Sequence, residues 1–296
     1  MVSDSPPAPV PWLVDQTLVR DLRRGKAEQA FLAGEFHRGL VESDELLYEN
    51  PEDPGGLWVF ARSALALGDA CTAQTALEQL LDLAEHDIGV PMGHIQTEMA
   101  FAHFLQADFE AARAAASAAL TLDRALAAAW VCLGMVEERL GRAEAMSEAF
   151  ERAEDLRPGS TPKRMPSPAH EKWQRLLQAA SQYLSKDEAE LVSGLTITWE
   201  EWPRPAMLTS VLPPISPFIE LLITGDDAER SDPVDMLDAA LQKVVPSPTG
   251  MTIFTANLMR GQPSTADLVD RLARAIRSEL AAWLGVTVED LTPSPS

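Results

Sequence analysis

Cysteine, histidine and tyrosine are scarce in this 296-residue chain, at two, five and two copies. Two thiols cannot build a disulfide framework, and Cys71 and Cys132 sit inside apolar helical patterns, where a buried free thiol is expected. No apolar run approaches the ~20 residues needed to span a membrane. Positive charge is short as well: 24 Lys and Arg stand against 45 Asp and Glu, a formal charge of −21. No basic field exists to release counterions from a phosphate backbone, which excludes nucleic acid as a partner. The acidity is spread out, with 14 basic and 27 acidic residues over 1–168 and 10 and 18 over 169–296, as in a solubility device rather than a directed tail. Glycine-rich phosphate loops, CxxC pairs and nucleotide fingerprints are all missing. The opening MVSDSPPAPVPWLV puts an acidic residue and prolines where an export signal needs positive charge and an apolar helix. The expectation is a cytoplasmic protein without membrane association, cofactor or metal.

What the sequence does contain is internal repetition. In the 34 residues 127–160, Trp130, Leu133, Gly134, Phe150, Ala153 and Pro158 occupy positions 4, 7, 8, 24, 27 and 32. Small residues at 8 and 27 let two antiparallel helices approach, the aromatics fill the groove between units, and the proline stops the second helix. The turn between the two helices, Gly141, recurs upstream as Ala107, Gly68 and Gly34, at spacings of 34, 39 and 34. The small or apolar packing positions recur with it as Ala100, Ala112 and Ala119, then Ala61, Ala73 and Leu80, then Ala27 and Gly39 before the stop Pro51. Arg23 replaces a bulky apolar residue in the first unit, as a solvent-facing end repeat would. The five extra residues fall near EHDIGVPMG. This pattern resembles the tetratricopeptide repeat, and the resemblance implies a short α-superhelix whose concave face, lined by first helices, binds a protein or peptide.

Beyond residue 157 the periodicity stops. PGSTPKRMPSP, residues 158–168, holds four prolines and reads as a linker. After it come an amphipathic HEKWQRLLQAASQYL, strand-like LTITW and FIELLIT, a helical DPVDMLDAALQKVV, an alternating MTIFTANL and a strongly periodic ADLVDRLARAIRSELAAWLG. The order of these segments resembles the minimal zincin-like metallopeptidases of bacteria, over about 169–292. The expected fold is therefore mainly α, with a tetratricopeptide-like superhelix followed by a small α/β (α+β) domain. Its expected divisions are a flexible arm at 1–19, repeats at 20–157, the linker at 158–168, a degenerate zincin-like domain at 169–292 and a tail at 293–296.

The resembled family carries HExGHxxG on its last helix, followed by acidic residues. Two histidines at i and i+4 let both imidazoles reach one Zn²⁺, and the intervening glutamate activates the bound water. Here the aligned octet runs from Ser278 through Glu279, Leu280, Ala281, Ala282, Trp283 and Leu284 to Gly285, so Ser278 and Ala282 stand in both histidine positions. A hydroxyl is a poor zinc ligand and a methyl group is none. None of His37, His86, His94, His103 and His170 lies on that helix, and the HEKWQ that begins at His170 ends in Gln174 on the wrong helix. Glu279 with Glu289 or Asp290 offers too few oxygens to specify a hard cation, and Ser278 has no histidine nearby in sequence to activate it.

These readings describe a non-catalytic adaptor: a pseudo-metallopeptidase fused to protein-binding repeats. Arg62, His94, Gln96, His103 and Glu137 are the expected exposed contacts on the concave face. Arg271 and Arg274 lie seven and four residues before Ser278, on its stripe, and suit either an anion or acidic-peptide contact or pairing with Asp267, Asp270 or Glu279. Trp199, Trp202 and Trp283 are expected in the core. The alternatives are a metallopeptidase with non-standard or partner-supplied ligands, and an oligomerisation module at the C-terminus.

Overall fold

In a computed structural model the chain is described over residues 16–83, 89–162, 168–211, 214–225, 247–261 and 263–288. It divides into two units, Met1–Thr161 and Pro162–Ser296, at a point inside the proline-rich 158–168 stretch.

The first unit is a series of helical hairpins: α1 (Gln16–Leu32) with α2 (Phe36–Glu49), α3 (Pro54–Ala66) with α4 (Ala70–Leu83), α5 (Met92–Leu105) with α6 (Phe109–Leu122), and α7 (Ala127–Arg139) with α8 (Ala143–Leu156). Helix α1 begins at Gln16, so the segment expected as an arm up to residue 19 already contributes helix. Every hairpin turns the same way. Gly34, Gly68, Ala107 and Gly141 adopt φ of 78°, 85°, 60° and 71°. The residue after each returns an N–H to the carbonyl five positions back: Glu35 to Ala30, Asp69 to Ala64, Asp108 to His103 and Arg142 to Glu137, at 2.9, 2.9, 3.0 and 2.9 Å. This is the left-handed helix-ending motif that glycine favours because it lacks a Cβ. Ala107 makes the same turn with a side chain.

The small-residue register explains the packing. Ala27, Ala61, Ala100, Ala73, Ala112, Leu80, Ala119 and Ala153 are all fully buried. A Cβ on Gly134 would lie 2.6 Å from the Phe150 ring, so positions 8 and 24 of the fourth hairpin are in direct contact. First helices pack on one another across hairpins, α1 on α3, α3 on α5 and α5 on α7, while each second helix packs on the first helix that follows it. Asp53 adds a polar tie: it caps α3 by accepting from Gly56 N at 2.8 Å and accepts from Arg24 of α1 at 2.6 Å.

The second unit mixes helices and strands. Helices α9 (His170–Ser181) and α10 (Lys186–Ser193) precede β1 (Thr196–Glu200); the short α11 (Pro205–Leu208), β2 (Leu221–Gly225), β3 (Pro248–Phe254), the short α12 (Thr255–Leu258) and α13 (Thr265–Leu284) follow. The sheet runs β1-β3-β2, with β1 parallel and β2 antiparallel to β3. The TANL of the expected MTIFTANL strand turns into α12 instead, where Asn257 donates to the carbonyls of Pro217 and Ile219 at 2.9 and 2.6 Å. Helix α10 escaped the periodicity reading, although its Ser185–Glu188 capping box is visible in sequence. The helical DPVDMLDAALQKVV lies outside the described residues. Leu268, Leu272, Ile276 and Leu280 of α13 form one apolar stripe, packed with Trp173 and Leu176 of α9 and with Leu221, Ile223, Met251 and Ile253 of the sheet. Among the described residues, no helix is long and apolar enough to cross a membrane.

Candidate functional site

Three features of the first hairpins converge on Arg62. It belongs to α3, yet its guanidinium lies 4.2 Å from the Phe31 ring centroid of α1 and 5.3 Å from that of Trp58, and pairs with Glu98 of α5 at 3.2 Å. One side chain thus bridges three successive first helices. Arg62 is half-buried rather than exposed, because its charge is committed to this bridge. Burial outweighs the attraction of Arg62 and holds the Glu98 pKa above the usual carboxylate value. Cys132 of α7 is fully buried, and desolvation, reinforced by Glu98, pushes its thiol pKa well up. Cys71, also expected inside, is exposed: it begins the outer face of α4, with its sulfur 3.8 Å from Gln106 Oε1.

Of the other expected contacts, His94 is exposed and Gln96 and His103 are half-buried, all on α5. Glu137 overturns its reading. It is 2% exposed, and it accepts from Arg113 Nε of α6 at 2.6 Å and from Arg142 Nη1, at the start of α8, at 3.5 Å. Two guanidinium groups draw the carboxylate into the hairpin interface, where a partner could not reach it. A cleft of 670 Å³ opens over Trp130 and Leu133, between α6 and α8, rimmed by Arg124, Arg152, Glu148 and Asp155. Its walls come from segments about one repeat apart, which is why no local motif announced it.

In the second unit, Ser278 and Ala282 occupy the exposed face of α13, opposite the apolar stripe. Their hydroxyl and methyl offer no imidazole-like donor pair, so this position does not suit zinc. Glu279 turns toward the sheet and accepts from Ile223 N of β2 at 3.4 Å; partial burial raises its pKa and that hydrogen bond lowers it, with burial prevailing. Gly285 ends the helix at φ 65°, with Val286 N returning to Ala281 O at 3.0 Å, so its requirement here is a left-handed cap. Trp283 packs where Gly225 lacks a side chain, and Trp199 stacks on Trp173 at 5.6 Å, both half-buried like Trp202 rather than fully enclosed. His170 Nε2 accepts from Gln174 Nε2 at 3.0 Å, and its ring meets Trp199 edge-on. Glu289 and Asp290 lie outside the described residues.

The arginines of α13 separate. Arg274 pairs with Asp270 at 2.9 Å, as one of the two sequence readings anticipated. Arg277 reaches Glu188 of α10 at 3.1 Å and the Tyr183 carbonyl. Arg271 takes none of the expected acids: it donates to the carbonyls of Leu258 and Arg260, each at 2.8 Å, and lies 3.6 Å from Glu220. Asp267 is already engaged in the Ser264 capping box, which holds its pKa below the usual value.

The chain matches no family model, and no curated protein matches it. Solved structures similar to it include two of MamA. One is 19% identical over 45% of this chain and 75% of that one, with a TM-score of 0.39. The other is 18% identical over 49% and 76%, with a TM-score of 0.41. A likeness at that level says nothing of activity or partner.

Proposed function

We propose that this protein is a non-catalytic interaction adaptor: the hairpin unit binds a protein or peptide on the face lined by its first helices, and the second unit is an inactive relative of the zincin-like metallopeptidases. The observation that carries the binding reading is the Arg62 bridge. Because one residue touches α1, α3 and α5, the first helices share one continuous face, and their mutual packing favours curvature toward that side. Such a surface orders a groove without ordering the ligand, and the exposed His94 with the half-buried Gln96 and His103 gives it polar contacts beside the aromatic Phe31 and Trp58. The reading of the second unit rests on the order of its segments and on Ser278 and Ala282 in place of both metal-binding histidines.

The test is a triple charge variant, His94→Glu, Gln96→Arg and His103→Glu. Partner recovery on pull-down should fall at least tenfold while thermal unfolding stays unchanged, since none of the three is in the core. Undiminished recovery by a folded variant would rule this face out. For the second unit, stoichiometric zinc in purified protein, lost on Glu279→Gln together with a measurable peptidase activity, would reinstate the enzyme.

A further inference from the structure

A pocket of 530 Å³ in the second unit lies between α12, α13 and the segment leading into β2, lined by Phe218, Glu220, Asn257, Arg260, Arg271 and Arg274. Its charge runs against that of the chain. In a protein of net −21, three guanidinium groups line this pocket with one carboxylate, Glu220.

The three arginines are held differently. Arg271 is anchored through Nη1, whose two N–H groups go to the Leu258 and Arg260 carbonyls at 2.8 Å, with Nε at a long 3.6 Å from Glu220, which leaves Nη2 to donate into the pocket. Arg274 shares its charge with Asp270 at the exposed rim. Arg260 has no carboxylate within ion-pair distance among the described residues. Its guanidinium carbon instead lies over the Phe218 ring, 3.8 Å from the centroid. Desolvation on that face, with repulsion from Arg271, lowers its pKa, and burial raises that of Glu220. Both shifts reflect partial withdrawal from water, and the repulsion between Arg260 and Arg271 reflects crowded positive charge. A guanidinium held over an aromatic ring, with the Nη2 of a second, anchored guanidinium beside it, is pre-organised for a group that accepts several N–H bonds at once.

We infer that this pocket binds an oxyanion, the carboxylate of an acidic ligand or a phosphate, with Arg260 and Arg271 as its two principal donors and Arg274 at the rim. Asn257 braces the lining, since its amide ties α12 to the Pro217 and Ile219 carbonyls that flank Phe218 in the chain. The site is built from second-unit residues alone and does not depend on the adaptor reading.

The experiment titrates the full chain with inorganic phosphate and, separately, with acetyl-Glu-Glu-amide, each against chloride at matched ionic strength, following amide and arginine side-chain resonances by NMR. At least one of the two should saturate a single site, with shifts centred on Phe218, Asn257 and Gly261, and the arm that saturates identifies the source of the oxyanion. Arg260→Ala should weaken that binding at least tenfold and Arg274→Gln about threefold. Neither variant should lose its fold, because neither residue belongs to the buried core; Arg260→Lys, which keeps the charge and loses the fork, should fall between. Shifts no larger than those from chloride, or affinity retained within twofold by Arg260→Ala, would overturn the site.

Discussion

Ala107 occupies a backbone conformation that costs a residue with a Cβ roughly 1–2 kcal/mol. The other three hairpin turns use glycine at the equivalent position. Ala107→Gly should therefore stabilise the protein, by about 0.5–1 kcal/mol once the extra freedom of the unfolded glycine is set against the relieved strain, and urea unfolding would measure it. Glu137 is the opposite case. Replacing it with alanine leaves Arg113 and Arg142 without their shared acceptor; because both are partly exposed and can rehydrate, the expected loss is about 2 kcal/mol rather than the larger cost of stranding a fully buried charge. A loss below about 0.5 kcal/mol would mean the pair is structurally idle. Glu98 makes a prediction about pH. A carboxyl whose folded pKa is raised binds its proton more tightly in the native state, so its contribution is complete below the ordinary glutamate range and is lost as pH rises through the folded value. Glu98→Gln should flatten the decline of stability as pH rises above the ordinary glutamate range, seen as a smaller change in urea midpoint than in the parent chain.

Among the elements, the hairpin follows from its register. Small residues at the close-packing positions were legible because helices can approach only where side chains are short, and that constraint leaves a mark every 34 residues or so. Gly134 tests it: Gly134→Ala puts a methyl 2.6 Å from the Phe150 ring, and overpacking of this kind costs about 1–3 kcal/mol despite alanine's better helix propensity. Helix α13 was legible for a related reason, its apolar stripe at Leu268, Leu272, Ile276 and Leu280 recurring with the helical period. Helix α12 was not. The alternation in MTIFTANL reads as a strand to its end, and only the hydrogen bonds of Asn257 to a loop 38 and 40 residues upstream show why the chain coils there.

The whole molecule carries its charge of −21 on two units with separate cores. Self-repulsion destabilises any compact state, and a Debye length of about 8 Å at 0.15 M salt screens it. Raising ionic strength from low to about 0.15 M should raise the melting temperature, and calorimetry should resolve two transitions rather than one. A single transition with equal calorimetric and van't Hoff enthalpies would indicate that the two units unfold together.

Composition, the recurring small residues and the helical periods are local or regularly spaced signals, and from them the sequence alone dictated the hairpins, their turn residues, the long last helix and the absence of any histidine on it. Which charged groups face water was another matter. Glu137 and Arg62 look like surface residues from their neighbours in the chain, and nothing in the sequence singles out Arg260. Their roles depend on partners 24, 31, 36 and 42 positions away, among them Arg113, Phe31, Glu98 and Phe218. An ion pair or a ring contact is decided by distance in space, and only the tertiary structure brings those groups within reach.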